Sequence, residues 1–142
     1  MSSAIATIAE AIKDALNGED FSMDFTAARV YRPSYDLKDV KDLTVVVAPR
    51  ANEITLLNRR DDQYEVTVQI GVLKKLDDED NAEIDPLMAL VQEICEFLSR
   101  KAMGTGLWLS TKNDPIYLAE HLHQYRQFTS VITATYRVME GG

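Results

Sequence analysis

One segment near the middle of the chain alternates strictly between apolar and other side chains. Every second residue from Tyr64 to Val72 is aromatic or β-branched, and the residues between them include a glutamate, a threonine and a glutamine. Successive residues of a β-strand point to opposite faces of a sheet. The alternation therefore predicts a strand from Tyr64 to Leu73, with one face on a core and the other facing water or a partner.

Two segments have the apolar spacing of amphipathic helices. The first runs from Ile5 to Leu16, where isoleucines recur at helical spacing. Before the second, Asp85 offers an N-cap and Pro86 a first-turn proline, and the apolar stripe that follows is typical of a helix lying on a sheet. We expect this second helix to stop near Met103 and Gly104.

Several shorter segments are rich in strand-forming residues. Further strands are expected at Phe25–Arg32, Leu43–Ala48, Glu53–Asn58, Leu107–Ser110 and Tyr125–Met139. Pro49 is expected to end the second of these strands. A turn around Arg50–Asn52 then makes a hairpin, a charged turn follows at Arg59–Asp62, and the closing glycines form a frayed tail.

The order of these elements indicates an α+β fold. A helix, four strands, a second helix and two or three more strands favour a mixed, mainly antiparallel sheet with two main helices packed on one face. The 142 residues suit one hydrophobic core. Because no repeat or low-complexity linker divides the sequence, we expect residues 1–142 to form a single domain.

The acidic balance of the chain argues against tight nucleic-acid binding. Twenty-three Asp and Glu outnumber fifteen Lys and Arg, for a formal net charge of −8, whereas proteins that grip phosphates cluster basic residues. The negative electrostatic field of such a chain suits the wall of a channel through which DNA passes, since like charges keep a polyanion from adhering. The sequence has neither a signal-peptide pattern nor an apolar run of ~20 residues, so we expect a cytosolic protein without a membrane span.

No residue pattern indicates catalysis, a cofactor or a metal site. His121 and His123 stand beside Glu120 at a spacing that would place both rings on one side of a strand, but no known ligand spacing accompanies them. The acidic run Asp77–Glu83 lacks the glycine and the final glutamate of a calcium loop. Cys95, the sole cysteine, lies on the apolar stripe of the second helix, where we expect it in the core.

Several side chains suit contacts with a partner protein. Arginines spread among strands and turns, in a chain this acidic, fit ion pairs across an interface better than a phosphate groove. An aromatic ring in a turn-rich region can anchor a contact or pack in the core, and threonines on one face of the last strand can meet a partner or water. The candidate interface residues are Arg50, Arg59, Arg60, Trp108, Thr129 and Thr133.

The order of the segments resembles the tail terminator proteins of long-tailed bacteriophages, the lambda type and its relatives. The similarity covers nearly the whole chain. It rests on the order of the apolar segments and on the residues that end them, and it includes no catalytic signature. It is carried by Ile5–Leu16, Ala28–Pro33, Leu43–Pro49, Tyr64–Val72, the charged loop and helix that follow, and Phe128–Arg137.

This resemblance implies a structural virion protein of the tail or neck, assembled in the host cytoplasm. Copies of the subunit would form a hexameric ring on the last ring of tail tube protein, end tail polymerisation and present a surface to the head–tail connector or stopper protein. DNA would pass through the lumen without specific binding, and the resemblance implies neither an enzyme nor a cofactor.

Three other functions stay open at this point. A neck or head-completion protein on the portal side would share many of these patterns. A small ligand-binding regulatory α+β domain would have a compact apolar pocket with a few polar groups. An enzyme that uses His121 or His123 would bind a metal or lose activity when either histidine is replaced.

Overall fold

A mixed five-stranded sheet and two helices make up the described part of the chain. The structure is a computed structural model and describes residues 4–30, 43–56, 61–76, 81–104, 106–114, 116–117, 120 and 126–141. In chain order the elements are α1 (Ala4–Asn17), β1 (Ala27–Arg29), β2 (Thr44–Leu56), β3 (Asp61–Lys75), α2 (Asn81–Leu98), β4 (Leu107–Asn113) and β5 (Gln127–Gly141).

The strands lie in the order β1-β2-β3-β5-β4. The β1 strand is parallel to β2, and every other neighbouring pair is antiparallel. β3 is paired along its full length with β5, from Asp61 opposite Gly141 to Lys75 opposite Gln127. The expected mixed, mainly antiparallel sheet of an α+β fold is therefore confirmed.

One face of this sheet carries the core. Val66, Val68, Ile70 and Val72 of β3 are fully buried on that face, as the sequence pattern predicts. The stripes of both helices pack into the same cluster, whose largest members are Ile8, Ile12, Leu16, Ile70, Leu87, Leu90, Ile94, Leu98, Phe128, Ile132 and Tyr136. Burying each such side chain contributes about 1.5–3 kcal/mol relative to leaving it exposed, so this layer is the main source of stability.

The last residue of α1, Asn17, is hydrogen-bonded to the first residue of β1, Ala27. The Asn17 Nδ2 donates to the Ala27 carbonyl at 3.1 Å, and the Ala27 N–H donates to Asn17 Oδ1 at 2.7 Å. This pair of bonds satisfies the backbone where β1 begins, outside the ladder. The expected helix at Ile5–Leu16 is confirmed, but β1 is shorter than the expected Phe25–Arg32, and Phe25 lies before it.

The expected hairpin across Pro49 is wrong. Leu43–Ala48 and Glu53–Asn58 are not partners, because β2 runs from Thr44 to Leu56 as one strand paired with β3. The register shifts between Pro49 and Ala51, which leaves Arg50 as the extra residue of a bulge. A proline is tolerated there because β1 pairs only with Val45–Val47, so the outer side of β2 at Pro49 has no partner among the described strands.

The second helix begins earlier and ends earlier than expected. It starts at Asn81, so Pro86 lies inside the helix, where its missing N–H removes one backbone hydrogen bond. It ends at Leu98 because Arg100 takes a left-handed backbone with φ of 66°. Gly104, the expected stop, has φ of 59° in the later turn between Met103 and Gly106.

The last two strands end later than expected: β4 is three residues longer, and β5 keeps the expected length but is shifted by two residues. β4 reaches Asn113, and β5 begins at Gln127 and extends through Gly141, which was expected in a frayed tail. Pairing with the full length of β3, up to Asp61 opposite Gly141, accounts for the later end of β5. Neither described helix is long and apolar enough to cross a membrane.

Candidate assembly surfaces

Polar side chains form cross-strand rows on the sheet face opposite the helices. We call these six half-buried residues the polar sheet face: Glu65 opposite Arg137, Thr67 opposite Thr135, and Gln69 opposite Thr133. The hydroxyls of Thr67 and Thr135 are 3.5 Å apart. Directly opposed side chains of neighbouring strands fix each other's positions, so this face presents an ordered polar surface rather than scattered groups.

The same side of the sheet is apolar and buried toward its other end. Leu73 is fully buried and forms a small cluster with Val46 and the half-buried Val30. Thr129, which is opposite Leu73, is also fully buried and accepts a hydrogen bond from Gln127 Nε2 at 2.7 Å. The expectation that Thr129 meets water or a partner is therefore wrong, whereas Thr133 keeps its place on the polar sheet face.

The sheet ends in two edges of different construction. At one edge, β4 pairs with β5 alone among the described strands, and its first residue, Leu107, is 58% exposed. At the other edge, β1 covers only the beginning of β2. An edge strand leaves backbone donors and acceptors available to another chain, so each edge is a candidate contact and the two are not equivalent.

Of the two roles considered for Trp108, the structure shows core packing. Its ring packs on the core as a half-buried residue, and its Nε1 donates to Thr111 Oγ1 at 2.8 Å. Arg50 is exposed at the bulge of β2, where its side chain is available to a partner. The other two candidate arginines, Arg59 and Arg60, lie outside the described residues.

The described residues form no metal or nucleophile site around the candidates considered above. Within this part of the chain, no group of three or more His, Cys, Asp and Glu is placed to hold a metal ion. His121, His123 and the acidic residues 77–80 lie outside it. Cys95 is half-buried at the margin of the core, and its burial, followed by the charge of Glu96, raises the pKa of its thiol to about 11. That thiol stays protonated near neutral pH, which does not favour a nucleophile.

A groove of about 330 Å³ lies between α1 and Arg29. The Arg29 guanidinium donates to the Ala6 carbonyl at 3.3 Å and lies 3.5 Å from Glu10 Oε2. Glu10 also accepts a hydrogen bond from the Lys13 ammonium, which raises the pKa of that lysine. The charges of this groove are thus paired with each other.

A second groove of about 340 Å³ lies between the α1–β1 connection and α2. We call it the acidic aromatic groove, and its lining residues are Glu19, Asp20, Phe21, Glu93, Glu96 and Phe97. Phe21 stacks on Phe25 with ring centroids 5.4 Å apart and meets Phe97 edge to face at 5.5 Å. Carboxylates therefore surround a floor of packed aromatic rings.

Sequence reasoning missed this groove. Phe21 lies in a segment that has no periodic pattern, and Glu93 and Phe97 lie in a helix that the sequence indicates only through its apolar stripe. The available signal was the spacing of Phe21 and Phe25 within an acidic stretch, but only the packing of α2 against that stretch brings the groups together.

No protein-family model matches the chain, and no curated protein matches its sequence. A solved structure does match: a chain in a structure described as the virion of a native gene transfer agent particle. The match has a TM-score of 0.54 at 14% sequence identity and covers 98% of this chain and 100% of that chain. This chain thus shares its fold, from end to end, with a chain of that virion structure.

Proposed function

We propose that this chain is a structural protein of a phage-like virion that closes the head-proximal end of a tail tube as a ring of subunits, hexameric in the simplest case. The observation that carries the proposal is the fold shared over 98% of this chain and the whole of a chain in a gene transfer agent virion. The match thus spans nearly all of both chains.

The choice of a tail terminator rests on the resemblance of segment order described above. A tube of stacked rings grows by repeating one interface, so a protein that ends growth has to match that interface on one side and present a different surface on the other. The tail tube protein and the head–tail connector or stopper are the partners we propose for these two sides.

The edges of the sheet support ring formation. A closed ring of identical subunits uses heterologous contacts, in which one patch meets a different patch on the next subunit. The β4 edge with Leu107 and the β2 edge with Arg50 are two unlike patches at opposite edges of one sheet. We propose that they face each other between neighbouring subunits, with Trp108 supporting β4 from the core side.

We propose a structural rather than catalytic role, and a lumen through which DNA passes without specific binding. The net charge of −8 supports a non-adhesive lumen. The polar sheet face, which includes Thr133, suits either the lumen wall or a neighbouring subunit.

Deleting the gene in the parent particle tests termination. We expect tails of irregular and excessive length that do not join heads, because nothing stops addition of tube protein. Restoring the gene from a plasmid is the control and should return uniform tails. Tails of normal length that still join heads would disprove the proposal.

The virion match is also consistent with a neck protein on the portal side, and binding separates the two locations. Purified protein should cosediment with assembled tail tubes if it is a terminator. Binding to the portal or connector, without binding to tubes, would assign it to the neck.

A further inference from the structure

We propose that two copies of this chain associate through the polar sheet face as a two-fold symmetric pair. The proposal starts from Glu65 on β3 and Arg137 on β5, which lie directly opposite each other on that face. Neither residue forms an ion pair in the described part of the chain. The proposed ring uses the edges of the sheet, so this contact goes beyond the proposed function and can fail independently of it.

Arg137 lacks an acceptor for its guanidinium. The residue is half-buried, and its Nε atom is buried without a hydrogen-bond partner among the described residues. A donor that has lost water without gaining an acceptor is costly, and more so when it belongs to a charged group. A carboxylate brought to the guanidinium by another molecule would compensate this charge.

Glu65 is an anion on the same face that also lacks a partner. It is half-buried, and the residue opposite it on β2 is a second glutamate, Glu53, rather than a cation. The polar sheet face therefore presents an unpaired cation and an unpaired anion in adjacent positions. Such a surface has charge complementarity to a second copy of itself.

One symmetry axis brings these charges together. The axis runs parallel to the strands, between β3 and β5, and lies midway between two sheets that pack face to face with aligned strands. It places β3 of one copy over β5 of the other and keeps the rows in step. Glu65 then faces the partner's Arg137, and Arg137 faces the partner's Glu65, so one isologous contact forms the ion pair twice.

The other rows of the face are compatible with this axis. The threonine rows and Gln69 bring together hydroxyl and amide groups, which both donate and accept hydrogen bonds. Among the flanking strands, β2 adds Glu53 beside Glu65, and β4 adds Lys112 in the row of Thr133. These two residues lie in different rows, and the axis brings neither of them over a like charge.

The size of the face sets the strength of the pair. Its rows span the five residues from Glu65 to Gln69 across four strands. With ~4.8 Å between strands and ~3.4 Å per residue, this patch measures roughly 300 Å², whereas a standard interface covers ~800 Å² on each partner. The pair is therefore weak, forms at high protein concentration and does not keep subunits from entering a ring.

Sedimentation equilibrium of the purified chain tests the pair. We expect a monomer–dimer equilibrium at concentrations up to about 1 mM, shifted toward monomer as salt is raised. Glu65→Gln and Arg137→Gln each remove one partner of both ion pairs, so each should raise the dimer dissociation constant about three- to tenfold. Urea denaturation of the same variants checks that the subunit stays folded.

Mixing two charge reversals separates contacts between chains from a contact within one chain. Glu65→Arg and Arg137→Glu should each be monomeric, because like charges then face each other across the axis. An equimolar mixture of the two variants should dimerise, because the two reversed charges face each other and so do the two unchanged ones. A Glu65–Arg137 contact within one chain cannot be restored by mixing. Glu96→Arg and Arg100→Glu reverse exposed charges on or just after α2 and should leave dimerisation unchanged, alone or mixed.

Three results would overturn the inference. One is a parent chain that stays monomeric at 1 mM, a concentration at which even a dimer of about 1 mM dissociation constant is well populated. Another is a dimer that neither glutamine variant weakens. The third is a mixture of the two charge reversals that stays monomeric. Each result leaves the ring proposal intact, because the ring contacts are assigned to the edges of the sheet.

Discussion

Glu93 on α2 accepts one hydrogen bond from the Ser22 N–H, at 3.0 Å, and another from the Ser22 hydroxyl. The two residues are 71 positions apart, and these bonds join the α1–β1 connection to the helix that follows β3. The contact holds Phe21 beside Phe97 and so builds the acidic aromatic groove.

Replacing Glu93 by glutamine should weaken this link. The amide keeps one oxygen for the Ser22 N–H, and its N–H₂ group can donate to the Ser22 hydroxyl, but neither hydrogen bond is then strengthened by a carboxylate charge. We expect the free energy of unfolding to fall by about 1 kcal/mol, measured by urea denaturation. The control is Glu96→Gln, which changes an exposed partner of Gln92 and should cost less than about 0.5 kcal/mol. Equal effects of the two variants would contradict the role given to Glu93.

Gly106 is packed so closely that a methyl group has no room. A Cβ added there would lie 2.9 Å from Ile8 Cδ1 and 3.0 Å from Tyr136 Cβ. We expect Gly106→Ala to destabilise the fold by about 1–3 kcal/mol through overpacking. Gly18→Ala is the matched control, because its added Cβ would make contacts no closer than 3.4 Å.

A second substitution identifies the source of that cost. Ile8→Val removes the Cδ1 atom, so the double variant should recover part of the stability lost by Gly106→Ala, as a double-mutant cycle would show. Additive losses in the cycle would mean that the contact with Ile8 is not the cause.

Tyr136 is a buried tyrosine whose hydroxyl has no hydrogen-bond partner among the described residues. Tyr136→Phe removes a desolvated polar group, so the variant should be as stable as the parent chain or more stable by up to about 1 kcal/mol. Urea denaturation at neutral pH measures this difference. A loss above 1 kcal/mol would show that the hydroxyl makes a favourable contact.

The effect of Tyr136→Phe on the free energy of unfolding should depend on pH. Burial raises the pKa of Tyr136 above its ordinary value of 10.0, so above pH 10 the unfolded chain loses this proton before the folded chain does. The parent protein therefore loses stability as pH rises above 10, and the advantage of Tyr136→Phe should grow there. A stability difference between the two proteins that stays constant above pH 10 would contradict this account.

Leu107 tests the assignment of β4 to a subunit contact. It is 58% exposed within the single chain, so Leu107→Ser should leave the free energy of unfolding of the subunit within about 0.5 kcal/mol of the parent. If β4 meets a neighbour, the same change should lower the fraction of rings in sedimentation velocity. Ile116→Ser alters a residue that is 53% exposed but outside the strand, and it should leave the ring fraction unchanged. Loss of rings in both variants or in neither would remove β4 from the contact.

Periodicity located the elements that carry strong patterns. The alternation from Tyr64 to Val72 predicted β3 and its buried face, and the helical spacing of the isoleucines predicted α1 to within one residue at each end. These predictions succeeded because burial of one face requires the pattern. The fold class followed from the order of such elements.

Local rules failed where tertiary contacts compensate for a local cost. Pro49 did not end β2, because β3 continues the ladder on its inner side and a bulge absorbs Arg50. Arg100 ends α2 in a left-handed backbone that sequence reasoning assigned to a glycine. Thr129 has the polarity of a surface residue but is buried opposite Leu73.

The candidate surfaces were predictable only in part. Strand periodicity and residue type indicate Thr133 and Trp108, and the structure places Thr133 on the polar sheet face and Trp108 at the margin of the core. The acidic aromatic groove depends on residues from two distant segments, and no local pattern links Ser22 to Glu93. Surfaces made by long-range packing therefore required the structure.

The most direct test of the ring proposal is negative-stain electron microscopy of the purified protein, alone at high concentration and mixed with preassembled tail tubes. We expect rings of uniform subunit number with an open centre, six subunits in the simplest case, and a single such ring on one end of each tube. Particles that stay monomeric in both samples, with tube ends left bare, would contradict it.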